Sequence, residues 1–393
     1  MSVLSSLAGN TVTEQACYAR RAYPKIIYNK VNISETLKPY LKNMEYTDVL
    51  TGQADDLQLT LEDRDGLWLE AWFPDKGAAL TASILTKYWT TPTDAEKELP
   101  LGMFEIDEIE CSAMPSEAKI KAVSVPNNTT LRGEERTRSW EGYTIQKIAQ
   151  DIANNAGMQL NFSSKDNPTL ERVEQTEQSD LAFLDKLCQD NGLSLKVTDN
   201  QIVIFDMADI EAAEPSLIFV RPTVKDLVAS VSMDVNSNGT NNKNALKQLK
   251  PASWRFTSSV RDIYKACTVE HSQGKKKEKI SATFTDPNKT EGKILLVKKD
   301  VKSVEEAERM ARKELREKNK DEVTGSLTCM GDTNLSAGLT VTVKGFGKFD
   351  GKYILSQVKH SLGSGYTCSV DLRRCLNCLL YTSPSPRDRQ KSR

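Results

Sequence analysis

Asp56-Leu57-Gln58-Leu59-Thr60-Leu61-Glu62 puts three leucines on one face and polar residues on the other. That period of two is the pattern of a half-buried strand. Asp63-Arg64-Asp65-Gly66 follows as a turn, and Leu67, Leu69, Ala71 and Phe73 then alternate with Trp68, Glu70 and Trp72. The spacing predicts a hairpin with a four-residue loop. Both faces of its second strand carry large apolar groups, because Trp68 and Trp72 share one of them. A strand buried on both faces suits a barrel wall that also meets a neighbour. Further strands are expected over Phe104–Cys111 and Lys119–Val125, before Pro126-Asn127-Asn128 breaks the pattern.

Between about 139 and 206 the period changes. Ile145, Ile148, Ala149, Ile152, Ala153 and Ala156 follow helical spacing, with Thr144 as N-cap and Gly157 just past the end. A strand over Met158–Phe162 and a second helix over Ser179–Asn191 follow, the latter with Leu181, Leu184, Leu187 and Cys188 inward. Leu193, Leu195 and Val197 then lead through Asp199-Asn200 into Ile202–Phe205, a hairpin. This is an α/β module inserted between β-rich parts. Residues 207–253 give little periodicity and contain the turn-rich run Asn236–Asn242, so they read as a connecting segment. Strands return from Trp254. Ser303 and Glu306 form a capping box for a helix over 303–319, with Val304, Ala307, Ala311 and Leu315 on its apolar face. Leu339, Val341 and Val343, then Tyr366, Cys368, Val370 and Leu372, mark a second antiparallel β unit. Residues 378–393 have no periodicity. They resemble a translated sequencing adapter and are expected to be a non-native tail.

The chain has 393 residues, enough for two to four domains. Its 53 basic and 54 acidic residues leave a net charge of -1, which excludes a protein built mainly to coat nucleic acid. No apolar run approaches the length of a membrane span, and the start shows no secretory signal. The eight cysteines read as reduced thiols. Only Cys375 and Cys378 form a CxxC pair, without a second pair or a nearby histidine, so no zinc site is expected. With two histidines in all, His271 and His360, a Ser–His or Cys–His catalytic unit is disfavoured. The glycine run 345–351 fails the P-loop pattern, because Phe346 and Tyr353 stand where Gly and Ser or Thr are required. Lys275-Lys276-Lys277 lacks interleaved aromatics and reads as a solvated loop tip. Charge is unevenly spread: residues 45–117 hold 17 acids and 4 bases, a net of -13, whereas 261–320 hold 17 bases and 11 acids, a net of +6. That asymmetry points to complementarity between protein surfaces.

Four segments, in order, resemble the late control gene D family of contractile-tail phages. They are Asp56–Asp65 with Gly66-Leu67-Trp68; Glu141-Gly142-Tyr143-Thr144 leading Ile148-Ala149 and Ile152-Ala153; Gln178–Leu184 followed by Asn191-Gly192-Leu193; and Gly331-Asp332 through Leu335 and Gly338 to Gly351-Lys352-Tyr353 and Val358-Lys359-His360. The family is similar to the hub part of VgrG proteins of type VI secretion. The resemblance implies an α+β, mainly β fold of two related antiparallel β-barrel domains, 1–130 and 254–377, the second including helix 303–319, with the inserted α/β module at 139–206. It also implies a structural baseplate hub of a phage tail or related injection machine, assembled in the host cytoplasm and residing in the virion. A homotrimer would join the tail tube protein to the central spike protein and contact other baseplate proteins, with no catalysis, metal or cofactor. Trp68 and Trp72 are the candidate interaction residues. A tail-associated cell-wall hydrolase or peptidoglycan-binding protein is the alternative.

Overall fold

The computed structural model describes residues 19–52, 54–124, 130–198, 201–223, 246–273, 278–299, 301 and 303–376. The first part comprises β1 (Arg21–Tyr28), β2 (Val31–Asn32), helix α1 (Ser34–Leu37), β3 (Leu41–Val49), β4 (Asp56–Glu62), β5 (Ala79–Lys87), β6 (Lys97–Ser112) and β7 (Glu117–Val123). These strands run antiparallel in the order β2-β1-β5-β6-β7-β4-β3. Leu57, Leu59 and Leu61 of β4 all point inward, as their alternation requires.

The expected hairpin partner of β4 does not exist. Leu67–Leu69 forms a turn of 3-10 helix instead, and β4 pairs with β3 and β7. The cause is local. Gly66 sits at φ 69°, and the Asp63 carboxylate accepts the Trp68 N–H at 3.1 Å. A short acidic side chain satisfying a backbone donor competes directly with a strand ladder.

The inserted module holds α2 (Thr130–Gly133), β8 (Glu135–Thr144), α3 (Ile145–Ala156), β9 (Gln159–Ser163), β10 (Thr169–Ser179), α4 (Asp180–Asp190), β11 (Ser194–Thr198) and β12 (Gln201–Phe205). The Thr144 hydroxyl accepts from Lys147 N–H, and Gly157 ends α3 in the left-handed region, as the sequence predicts. In α4 the buried apolar residues are Phe183, Leu184, Leu187 and Cys188, while Leu181 is only half-buried. Trp140 of β8 stacks on Phe183 at 5.2 Å and draws that ring inward.

The stretch expected to be a connector carries α5 (Met207–Ala212), β13 (Leu217–Val220) and β14 (Lys247–Leu249). Asn236–Asn242 lies outside the described residues. β15 (Ser253–Ser258) follows. Next, β16 (Tyr264–Gln273), β17 (Glu278–Thr285) and β18 (Lys293–Lys298) form a separate three-stranded sheet. Helix α6 (Val304–Asn319) packs on that sheet through Ala307, Ala311 and Leu315 against Cys267 and Val269. Its cap is as predicted, with the Ser303 hydroxyl accepting Glu306 N–H at 3.1 Å, but Val304 is exposed. The helix assigned to the second β unit thus belongs to a second α/β module with its own small core.

The chain finishes with β19 (Val323–Met330), β20 (Thr340–Lys344), β21 (Gly351–Leu362) and β22 (Tyr366–Arg374). β21 joins the two halves. Residues Gly351–Ile354 pair with β20 and Gln357–Leu362 pair with β3, while β22 runs along its other side. β13 extends the sheet beyond β20 in parallel, and β14 beyond β13. The result is one 14-stranded sheet over one continuous core, mainly β, with two α/β modules attached. No closed barrel is found among the described residues, where two were expected. A twelve-residue β21 is long enough to pair with β20 at one end and β3 at the other, so the two halves share one continuous sheet.

Candidate interaction surfaces and buried polar clusters

Each module is fastened to the main sheet by buried charge. Lys196 of β11 pairs with Asp48 of β3 and lies 3.5 Å from Asp55. Asp48 also accepts the Ala337 N–H at 2.7 Å, and Asp55 accepts the Val49 N–H at 3.0 Å. Burial raises the Asp55 pKa and Lys196 opposes that rise. On the other module, Glu211 of α5 lies 2.9 Å from Arg316 of α6 and 2.6 Å from Arg373 of β22, and accepts the Leu376 N–H at 3.1 Å. Within the first module Asp180 is fully buried between Arg138, Arg136 and Gln175. These clusters spend their hydrogen bonds on positioning segments. Their carboxylates face cations and backbone donors.

His360 and Cys368 are cross-strand partners on β21 and β22, with Sγ 3.3 Å from Nδ1. A nucleophilic Cys–His unit needs an accessible thiolate. Here both residues are buried. Burial pushes the imidazole down to about 4 and the thiol up to about 12. His360 Nε2 donates to the Leu335 carbonyl at 3.2 Å, leaving Nδ1 to accept from the Tyr366 hydroxyl at 2.8 Å. The pair is a neutral core contact. Among the described residues no group of His, Cys, Asp and Glu is placed to hold a metal ion. No helix among them is long and apolar enough to cross a membrane.

The neutral His360 carries a pH prediction. Its pKa falls on folding, so the unfolded chain takes up a proton below pH 6.5 that the folded chain refuses until about pH 4. Stability is therefore lost as pH falls through that window, by about 3 kcal/mol in all. Urea unfolding of the protein and of His360→Gln between pH 7 and 4 measures it. The variant should lose most of this slope, and an unchanged slope would refute the assignment.

Of the two predicted interaction residues, Trp68 is buried in the main core and Trp72 is half-buried. Their rings meet edge to face at 5.5 Å, and Trp72 also meets Tyr40 at 5.3 Å. The exposed groups beside them are Leu69 (63%) and Phe73 (49%), with Glu70 and Asp75. The Tyr28 hydroxyl accepts the Asp75 N–H at 3.2 Å, and Tyr28 pairs with Val31 of β2, so this patch borders the β2 end of the sheet. The 3-10 turn brings Leu69 and Phe73 out; read as a strand, the same residues faced inward.

A second patch lies near the opposite end. Trp254 of β15 is 46% exposed, 5.3 Å from Phe346, and the Arg221 guanidinium lies 5.8 Å over its ring. Phe256 stacks on Phe349 at 5.2 Å. Arg221, Lys250, Lys344 and Lys348 are exposed in segments next to these rings, whereas Arg255, between Trp254 and Phe256 on β15, points to the other face. Among the described residues β15 pairs only with β19, so one edge is open. The signal was present in the alternation of Trp254 and Phe256 and in the aromatics of the glycine loop. It became a patch only when the fold brought 221, 254 and 346 together. Lys275–Lys277 lies outside the described residues.

A family model described as phage tail baseplate hub (GPD) matches residues 106–366. The chain is 25% identical over 377 residues to the probable baseplate hub protein of Escherichia phage 186, spanning 91% of this chain and 94% of that protein. Its fold resembles the 43 kDa tail protein of prophage MuSo2 from Shewanella oneidensis, with a TM-score of 0.64 at 13% identity over 90% of this chain and 98% of that one. It also resembles the E. coli c3393 protein, a component of the type VI secretion system, with a TM-score of 0.50 at 11% identity over 92% of this chain and 78% of that one. The matched region takes in the inserted module with Asp180 and Lys196, then Glu211, Arg316 and β21, and with it the chain belongs to the phage tail baseplate hub family.

Proposed function

We propose that this baseplate hub protein works as a homotrimeric ring joining the tail tube to the central spike, without catalysis or cofactor. The hub is a structural part of the virion tail baseplate, made in the host cytoplasm. The observation that carries the ring is the charge difference between two open parts of one sheet. Leu69 and Phe73 sit among Glu70 and Asp75 at the β2 end, within a region of net -13. Trp254 sits under the Arg221 guanidinium, and the Arg221 N–H donates to the Lys344 carbonyl, at the β14–β15 end. A contact between unlike patches is heterologous, and it closes into a ring when the rotation per subunit allows. Trp254 and Phe73 would supply the apolar anchors, with the Trp68–Trp72 ring pair in the same segment as Phe73. Opposite charge would steer the encounter. Exposed ion pairs contribute only about 0–1 kcal/mol each and would not hold a ring alone. The two modules, fastened outside the main sheet, are left to contact other baseplate proteins.

Native mass spectrometry across a salt series tests this. The Debye length is about 8 Å at 0.15 M salt. Higher salt should slow assembly more than it dissolves a formed trimer. Trp254→Ala and Phe73→Ala should each weaken the trimer about tenfold to a hundredfold. A protein that stays monomeric at every salt concentration, with tube and spike proteins present, would refute the ring. An assembly rate indifferent to salt would refute the steering alone.

A further inference from the structure

We propose that Cys329 and Cys368 are a disulfide site, reduced while the hub is assembled and closed by a small-molecule disulfide once the particle meets an oxidising medium. The geometry is that of the sheet. β19 and β22 are antiparallel, and their register sets Cys329 directly opposite Cys368. Opposed residues point to the same face, and both side chains lie in the main core, 2% and 0% exposed. Two residues along, Gly331 N–H donates to the Tyr366 carbonyl at 2.8 Å. That makes 331/366, and by alternation 329/368, a hydrogen-bonded pair with Cα atoms about 5.5 Å apart. Disulfides need about 4.4–6.8 Å and are commonest at about 5.5–6 Å.

No other two described cysteines are strand partners. Cys111 faces Ala118, and Cys267 faces Phe284 and Leu295. Cys188 is in α4, and Cys375 follows β22.

The reaction is thiol–disulfide exchange. One thiol loses its proton to solvent and attacks the small-molecule disulfide, breaking its S–S bond and releasing one small thiol. The second cysteine, also deprotonated, attacks the mixed disulfide, forming the Cys329–Cys368 bond and releasing the other small thiol. The two electrons given up by the protein end on the two released thiolates, which take up the two protons. Burial pushes both cysteine thiols up to about 12, so neither attacks readily in the closed sheet. Exchange therefore proceeds through brief opening of the β19–β22 ladder, at neutral pH and slowly. Once formed, the bond moves Cys368 Sγ away from the Asp332 N–H, which it accepts at 3.4 Å, and away from His360. It ties β19 to the strand beside β21, where the two halves of the sheet meet. Secreted and exposed particles sit in a medium where such bonds persist, whereas the bacterial cytoplasm keeps them reduced.

The test uses the full-length protein, purified reduced and then held in oxidised glutathione over a denaturant series that stops short of unfolding. Non-reducing peptide mapping should find Cys329 linked to Cys368, two hydrogen masses lighter than the reduced peptides. The unfolding midpoint should rise after oxidation and return with dithiothreitol. Cys329→Ala and Cys368→Ala should each abolish the linked peptide. If both cysteines remain open to alkylation throughout the series, the site is refuted. Glutathione adducts on them, or links spread among other cysteines, would refute it equally. Ring assembly plays no part in these readouts, so failure of the trimer and failure of the disulfide are separate results.

Discussion

Glu211→Ala is expected to lower the unfolding free energy by about 3–5 kcal/mol, because it leaves two guanidiniums without their shared carboxylate. Glu211 is 3% exposed and Arg373 is 6% exposed, so water cannot replace the lost anion beside Arg373, while the half-buried Arg316 keeps partial access to solvent. Arg316 is on the helix of the second module, Arg373 is on the main sheet, and Glu211 stands between them. The loss should therefore be partly local. Hydrogen exchange in β16–β18 and α6 should rise by more than in β3 or β21, since the module's own core is small. Arg316→Ala should cost less, because it leaves Glu211 still paired with Arg373. Urea denaturation of the two single variants and the double variant gives the coupling directly. A loss below about 1 kcal/mol in Glu211→Ala would show that the cluster is not desolvated as its burial requires.

Lys196→Met should also cost about 3–5 kcal/mol at pH 7, and its pH dependence should be distinctive. It removes the cation shared by Asp48 and Asp55, both almost fully buried. The Asp55 pKa is already raised by burial, with Lys196 holding it back. Without the lysine the folded-state value rises further, so the folded protein holds a proton over a pH range where the unfolded chain has lost it. Stability is then greatest below the unfolded pKa and falls as pH rises through the folded one. The difference between the variant and the parent should shrink on going from pH 7 to pH 4. Asp48 also acts on His360, so the comparison is repeated in a His360→Gln background, where the acid loss assigned to His360 is absent from both proteins. A gap that stays constant with pH would show that Asp55 does not titrate in response to Lys196.

The parts of this fold that could be read from the chain were those whose pattern is complete within a few turns. Thr144 to Gly157 gives a cap, an apolar stripe and a stop, and the helix lies where those signals put it. β4, β7 and β22 show clean alternation because one face of each meets the core. Leu67–Phe73 also alternates, but Asp63 and Gly66 supply a turn that alternation does not reveal. β13 was missed because four residues paired in parallel with β20, more than a hundred positions away, carry no local period of their own. The buried ion pairs were illegible for the same reason: Lys196 and Asp48 are 148 positions apart, and Glu211 and Arg316 are 105 apart. In a chain with 54 acids and 53 bases, nothing short of the fold selects those partners. Trp68 and Trp72 drew notice for their size, which in this case reflects core packing as much as contact.

The double role of β21 sets a condition on how the protein is made. β3 leaves the ribosome early, yet Val49 pairs with Gln357, which follows it by 308 positions (357 − 49). At about 5–20 residues per second, β3 waits roughly 15–60 s for its neighbour. During that time one edge of the first half offers unpaired backbone groups to any other nascent chain. Several hubs translated from one message would hold the same unfinished edge within reach of each other. Slower translation lengthens the interval and faster translation shortens it, so synonymous codon choice between positions 50 and 350 should govern how much hub is recovered soluble, with no change in the finished molecule.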